Sequence, residues 1–238
     1  LGLQRLEVEE AAAWEIVALG GLEKASIGDT VAAPEKPEVL PRIDVGEPTV
    51  KMTFGVNTSP FGGREGKFCT SRQIRDRLYK ELEKNVSLHV TDTNNANVFL
   101  VAGRGELHLA ILIETMRREG YELEVSKPEA ICKEIDGKLM EPIEYLVIDT
   151  REQYVGVITE IAAARLAQMQ NMFNDGKGSV RMEFSIPTRG LIGFHSAFIM
   201  AGRGEGVMNY QFLHYGPWKG DMKSMRSGVL IASEMGTA

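Results

Sequence analysis

The chain has 238 residues, 43% of them apolar and 25% charged, with 25 Gly, 9 Pro and a net charge of −6. That length and apolar content allow more than one packed core and exclude a disordered, collagen-like or low-complexity chain. The negative balance excludes the general basicity of a free-standing DNA binder, so any nucleic-acid contact must come from local clusters. Cys69 and Cys132 are too few for a disulfide scaffold or a structural zinc site, and a reduced, cytoplasmic protein is expected. No apolar run approaches the ~18 residues of a membrane span. Leu1 opens in mid-pattern, with Leu3, Leu6 and Val8, which reads as a piece of a longer protein.

Residues 1–47 hold most of the acidic excess and read as short strands, Ile16 to Leu19 and Ile27 to Val31, with Gly28-Asp29 as a turn. Pro34, Pro37 and Pro41 then impose an extended linker, because each removes a backbone donor and biases its predecessor away from helix. After Glu47-Pro48, Val50, Met52, Phe54 and Val56 alternate with polar or small residues and predict a half-buried strand. Ile74, Leu78 and Leu82 are four apart and predict a helix opened by a Thr70/Gln73 capping box. Val86 to Thr91 and Val98 to Ala102 predict a hairpin around Asn94-Asn95. Leu109, Leu112, Ile113 and Met116 predict a second helix, closed by Gly120, and Tyr121 to Val125 a last strand. The order is βαββαβ.

The same order returns after Glu141-Pro142. Strands are expected at Ile143 to Asp149, Met169 to Phe173, Val180 to Ile186 and Val207 to Leu213, and helices at Tyr154 to Leu166 and Leu191 to Met200. Two copies of one supersecondary unit stand in tandem, each expected as a four-stranded antiparallel sheet with two helices on one face. Arg104-Gly105 and Arg189-Gly190 occupy matching places between third strand and second helix. The repeated Ala-Gly-Arg-Gly-Glu at 102–106 and 201–205 does not, since one copy precedes a helix and the other follows one.

Few residues carry chemistry. Gly62-Gly63-Arg64-Glu65-Gly66-Lys67 resembles a phosphate loop only superficially: a Walker loop needs four residues between its glycines and a Ser or Thr after the Lys, where this chain has Phe68. The same stretch carries a local positive excess from Arg64, Lys67, Arg72, Arg75 and Arg77, suited either to a solvated helix face or to an RNA backbone. His89, His108, His195 and His214 lack metal-motif spacing, and neither cysteine has a nearby histidine to make a nucleophile pair. The third strands lack the aromatic pair of an RNA-recognition motif. Arginines beside helix starts, Arg104 and Arg189, also suit phosphate, with a solvated turn arginine as the plainer reading.

The runs Val56-Asn57-Thr58-Ser59-Pro60-Phe61, Glu65-Gly66-Lys67, Thr70-Ser71-Arg72-Gln73-Ile74, Gly103 to Leu109, Met116 to Gly120 and Pro187 to Phe194 resemble the TypA/BipA family of translational GTPases. Asn57 to Phe61 and Arg189 to Phe194 separate that family from its relative elongation factor G. The resemblance implies an α+β chain: residues 1–47 end a β-barrel domain II, 48–127 and 128–217 are ferredoxin-like domains similar to domains III and V of elongation factor G, and 218–238 begin a truncated C-terminal domain. There is no Walker loop and no guanine-recognition Asn-Lys-x-Asp, so neither catalysis nor a cofactor or metal site is expected here. GTP and magnesium are implied for a G domain of the parent.

The resemblance further implies a monomer that docks between both ribosomal subunits, on rRNA and ribosomal proteins, with no membrane contact. Its parent would act in large-subunit assembly and stress-related translation, and the A-site tRNA contact would mostly be lost with the truncated domain. The expected RNA-binding residues are Arg64, Lys67, Arg72, Arg75, Arg104, Arg189 and Arg203. Ala13-Trp14-Glu15 departs from the family's Gly-Asp turn. The competing reading is a tandem ferredoxin-like regulatory module that binds a small metabolite.

Overall fold

The computed structural model describes residues 7–21, 28–41 and 47–222. The chain divides into two units, Leu1–Asp44 and Val45–Ala238. In the first, the described residues form turns and extended chain with no helix or strand, which corrects the strand expected at Ile16 to Leu19. Trp14 and Ile16 are fully exposed, so among the described residues no second apolar layer covers them to stabilise a piece of sheet. Trp14 itself takes φ 74°, closing a turn in which the Glu15 amide donates to the Ala12 carbonyl at 3.2 Å. The Ile27 end of the other expected strand, and the strand expected within 228–231, lie outside the described residues.

The second unit holds two ferredoxin-like modules. The first comprises β1 (Val50–Gly55), α1 (Ser71–Leu82), β2 (His89–Asp92), β3 (Val98–Gly103), α2 (Glu106–Glu119), β4 (Glu124–Val125) and β5 (Glu129–Ala130). Its antiparallel sheet runs β2-β3-β1-β4, and β5 pairs with the other end of β1. The sheet therefore has five strands where four were expected. Ser126 explains the extra strand: its amide donates to the Thr53 carbonyl at 3.0 Å and its hydroxyl accepts from the Thr53 amide at 2.8 Å, so 124–130 follows β1 as one interrupted edge. Glu129–Ala130, assigned from the sequence to the second module, thus belongs to the first sheet. Lys127-Pro128 signals extended chain but not the edge it joins. The last strand is also shorter than Tyr121 to Val125, because Tyr121 leaves the ladder to bridge Phe68, with ring centroids 4.8 Å apart.

Alternation in β1 and helical spacing in α1 and α2 build one core: Val50, Met52 and Phe54 meet Ile74, Leu78, Leu109, Leu112 and Met116. The capping box forms, with the Gln73 amide donating to Thr70 and the Gln73 side chain accepting from the Thr70 amide at 3.1 Å. β2 begins only at His89, because Asn85 and Leu88 close a turn after α1.

The second module comprises β6 (Lys133–Ile135), β7 (Lys138–Arg151), α3 (Val155–Ala163), β8 (Gln168–Asn174), β9 (Ser179–Pro187), α4 (Thr188–Leu191), α5 (Phe194–Ala201) and β10 (Val207–Pro217). Its antiparallel sheet runs β10-β7-β9-β8, with β6 paired to β7 as a fifth strand. β7 continues straight through Glu141-Pro142, so that pair is no break, although the two sheets stay separate. Leu146, Ile148, Val180, Met182, Phe184 and Ile186 face Ile158, Ala162, Phe194 and Phe198 in the second core. The helix expected over Leu191 to Met200 is two helices. Gly193 at φ 69° occupies the left-handed region between them, which glycine enters without the Cβ penalty of other residues.

Candidate nucleic-acid interface

The register of β1 against β3, Val50 to Gly103 and Gly55 to Val98, sends the candidate arginines to opposite ends of the first sheet. Arg64, Lys67, Arg72 and Arg75 follow β1 and lie at its Gly55 end, while Arg104 follows β3 and lies at the Val50 end. The register of β7, Ile143 to Pro187 and Asp149 to Val207, separates Arg189 from Arg203 in the same way. The structure therefore gathers four of the seven candidates and leaves three apart.

The loop before α1 is built around a carboxylate. Glu122 accepts from the amides of Gly63 at 2.7 Å, Glu65 at 3.1 Å and Gly66 at 3.1 Å, and from the Asn57 side-chain amide at 2.7 Å. Gly66 is required here because a Cβ would lie 2.5 Å from Glu122 Cβ. These donors favour the charged form and hold Glu122 down to about 2, the Gly63 amide contributing most. Glu124 adds a second clamp, accepting from the Thr58 amide at 3.1 Å and its hydroxyl at 2.9 Å. The glycine-rich stretch is thus an anion nest, but its anion is the protein's own. Glu122 is the residue that sequence reasoning missed, and a glutamate 56 positions beyond the nest carries no local signal.

The clamped loop carries exposed Arg64, whose guanidinium lies 5.3 Å from the Phe61 ring centroid. Lys67 is exposed, and its backbone amide donates to the Gly120 carbonyl at 2.8 Å. Arg72 is 92% exposed, with Asp76 4.0 Å away. Arg75 is the most committed of the four. It donates to both Asp92 oxygens, at 3.0 and 2.8 Å, and covers the Tyr79 ring at 4.4 Å. The pair raises Arg75 and lowers Asp92 from their ordinary values, chiefly through the hydrogen bonds between them. Arg77 is nearly buried and bonded to Glu81 and Glu119.

The matched turns after β3 and β9 differ sharply. Arg104 is exposed, and its backbone amide donates to His108 Nδ1 at 3.2 Å. Arg189 is withdrawn and engaged within the protein. Its Nε donates to fully buried Glu141 at 2.5 Å, its Nη2 to the Gly220 carbonyl at 2.5 Å, and its guanidinium stacks 3.8 Å above the Trp218 ring. Glu141 also accepts from the Lys219 amide at 2.8 Å, so this pair anchors the chain leaving β10. The physical reason is the carboxylate: an arginine beside a buried Glu is held by it, because either charge alone would lose its hydration uncompensated. Arg203 is exposed at φ 50° in the tight turn between α5 and β10.

A second buried carboxylate lies where the modules meet. Glu144 accepts from Thr188 Oγ1 at 2.7 Å, and burial pushes it up from the usual carboxylate range. Nearby, the Gly193 amide donates to Glu106 of α2 at 2.8 Å. Glu144 stands in phase with Leu146 and Ile148 along β7, and that phase was the sequence signal for it. Among the described residues no group of His, Cys, Asp and Glu could hold a metal, and no helix is long and apolar enough to cross a membrane.

Residues 138–226 match the model of the elongation factor G C-terminus. Along its whole length the chain is 54% identical to the large ribosomal subunit assembly factor BipA of Synechocystis sp., 48% to that of Bacillus subtilis and 50% to that of Escherichia coli. It covers 40%, 39% and 39% of those proteins, so it spans about two fifths of the length of the curated relatives it matches. With its two ferredoxin-like modules, the chain is similar along its whole length to these BipA proteins and, over residues 138–226, to the elongation factor G C-terminus.

Proposed function

We propose that this chain is the ribosome-docking part of a translational GTPase that acts in large-subunit assembly and stress-related translation in the cytoplasm. The observation that carries the reading is the 48–54% identity, along the entire chain, to proteins named as large ribosomal subunit assembly factors. GTP binding and hydrolysis, with magnesium, belong to the G domain of the parent and not to these residues. The contact is made at the Gly55 end of the first module. A loop fixed by Glu122 and Glu124 loses little conformational freedom on binding, and it carries Arg64 at the same end of the module as Arg72 at the start of α1. Arg104 and Arg203 contribute from separate turns, as single phosphate contacts. Both ribosomal subunits, rRNA and ribosomal proteins are within the scope of such a surface, and the A-site tRNA contact is a minor part of it.

Sedimentation of the purified chain with isolated large subunits, small subunits and 70S ribosomes tests this. It should pellet with the large subunit and 70S ribosomes, and release as salt rises. Chain left in the supernatant at 50 mM salt would sink the reading. The metabolite alternative rests on a cleft of about 790 Å³ lined by Cys132, Arg165, Arg189, Ser196 and Trp218. Both its arginines are already engaged, Arg189 by Glu141 and Arg165 by the Gly190 and Ile192 carbonyls, so a ligand would rely on Lys127, Glu129 and Ser196. A rise in melting temperature with a small molecule, together with failure to pellet, would favour that alternative.

A further inference from the structure

The outer edge of the second sheet is unusually open to pairing. β8 ends the strand order and meets only β9. All seven of its residues are exposed, including Met169, Met172 and Phe173, the last at 65%. Natural edge strands are guarded by lysine, proline, inward charges or shortness. β8 has no charged residue and no proline from Gln168 to Asn174, and its one irregularity is a bulge between Met169 and Asn171. The opposite edge of the first sheet is guarded: β2 has four residues and carries the Arg75–Asp92 ion pair.

What protects β8 is its own amide side chains. The Met172 amide donates to Asn171 Oδ1 at 2.9 Å, and the Gln168 carbonyl accepts from Gln170 Nε2 at 3.4 Å. These are local side-chain bonds, and an arriving strand can replace them with main-chain bonds. The ends of the edge differ in charge. Lys219 Nζ donates to Gln168 Oε1 at 3.3 Å, while Glu152 accepts from the Asn174 side chain at 3.3 Å and Asp175 follows.

We propose that β8 is a docking edge for an extended segment of a partner protein, which adds as a further strand beside it. The segment spans about seven residues, or roughly 23 Å at strand spacing. It sets alternate apolar side chains beside Met169 and Met172, which share the face of Phe184 and Met182, and another apolar group beside Phe173 on the opposite face, with a carboxylate near Lys219 and a cation near Glu152. Main-chain bonds supply affinity and the alternating side chains supply selectivity. Nucleic acid does not fit, because the edge offers no cation along its length. A second copy fits poorly. A two-fold pairing of β8 on itself would centre on Asn171 and set two bulges side by side, and net charge of −6 opposes self-association.

The inference is independent of the ribosome reading and is tested without ribosomes. Random 12-residue peptides displayed on phage are selected on the chain, with a Met172→Lys/Phe173→Lys double variant for counter-selection. Both side chains are exposed, so the variant should melt with the parent, and this is checked first. Enriched peptides should alternate apolar residues, lose at least tenfold in affinity for the variant, and slow hydrogen exchange at β8 amides. A single Phe173→Leu change, which keeps the edge uncharged, should retain most of the binding. No enrichment over the variant, protection that falls elsewhere, or a concentration-dependent dimer of the parent that the variant abolishes would each overturn the proposal.

Discussion

The two modules share a strand order and part company at the turn after the third strand. In the first, Arg104 stands in solvent. In the second, Arg189 occupies the matching place and is pulled onto buried Glu141, stacked on the Trp218 ring. The long strand β7 of the second sheet also buries two carboxylates, Glu141 and Glu144, where β1 of the first buries none. The lesson is that matching position in a repeated unit does not carry matching chemistry. What decides an arginine's role is whether a desolvated carboxylate lies within reach.

The largest expected effect sharpens that difference directly. Glu141→Ala leaves the Arg189 guanidinium without its buried partner and should cost about 3 to 5 kcal/mol in urea unfolding. Trp218 emission reports the same step, since the indole loses its stacked cation. Arg104→Ala in the first module should change stability by no more than about 0.5 kcal/mol. Equal costs at the two turns would break the comparison.

The buried Glu144 gives the next largest effect, and its sign is opposite to that of a paired carboxylate. Its folded value is raised by burial, so the native state binds more protons than the unfolded chain above the ordinary carboxylate range. Stability should fall as pH rises from about 4.5, until Glu144 has ionised in the folded state. Glu144→Gln keeps an acceptor for Thr188 and should remove that fall. The variant should therefore melt higher than the parent at pH 7 and with it at pH 4.

Glu122 should act at the other end of the scale. Its folded value is held to about 2, so its contribution is complete above its unfolded value and is lost as pH falls toward 2. Glu122→Gln should free the amides of Gly63, Glu65 and Gly66 to faster hydrogen exchange at pH 7, with little change in the exchange of β1 or α2. Unchanged exchange at the three amides would mean that the nest is held by its backbone alone.

Much of this was legible in residue spacing. The period of two in β1 and β9, the period near four in α1, and the Thr70/Gln73 box each fix an element locally, so sequence places them to within a few residues. Edges were less legible. β5 joins the first sheet through a Ser126 contact to Thr53, 73 positions away, and nothing near Glu129 announces it. The strand expected at Ile16 to Leu19 shows the converse, since a short apolar run that packs against nothing among the described residues does not make a sheet. The arginine cluster was visible as charge, but its partners were not. Asp92 and Glu141, distant in sequence, decide that Arg75 and Arg189 are committed while Arg72 is 92% exposed.

The central claim is that RNA contact comes from the clamped end of the first module. Affinity of the chain for isolated large ribosomal subunits, measured over a salt series, tests it most directly when the parent is set against an Arg64→Ala/Arg72→Ala double variant. Each lost phosphate contact should lower the slope of log affinity against log salt by about one unit, so the variant should lose about two. Its melting temperature should match the parent's, because both side chains are exposed. Parallel salt lines with equal affinity, from a variant that remains folded, would contradict the account.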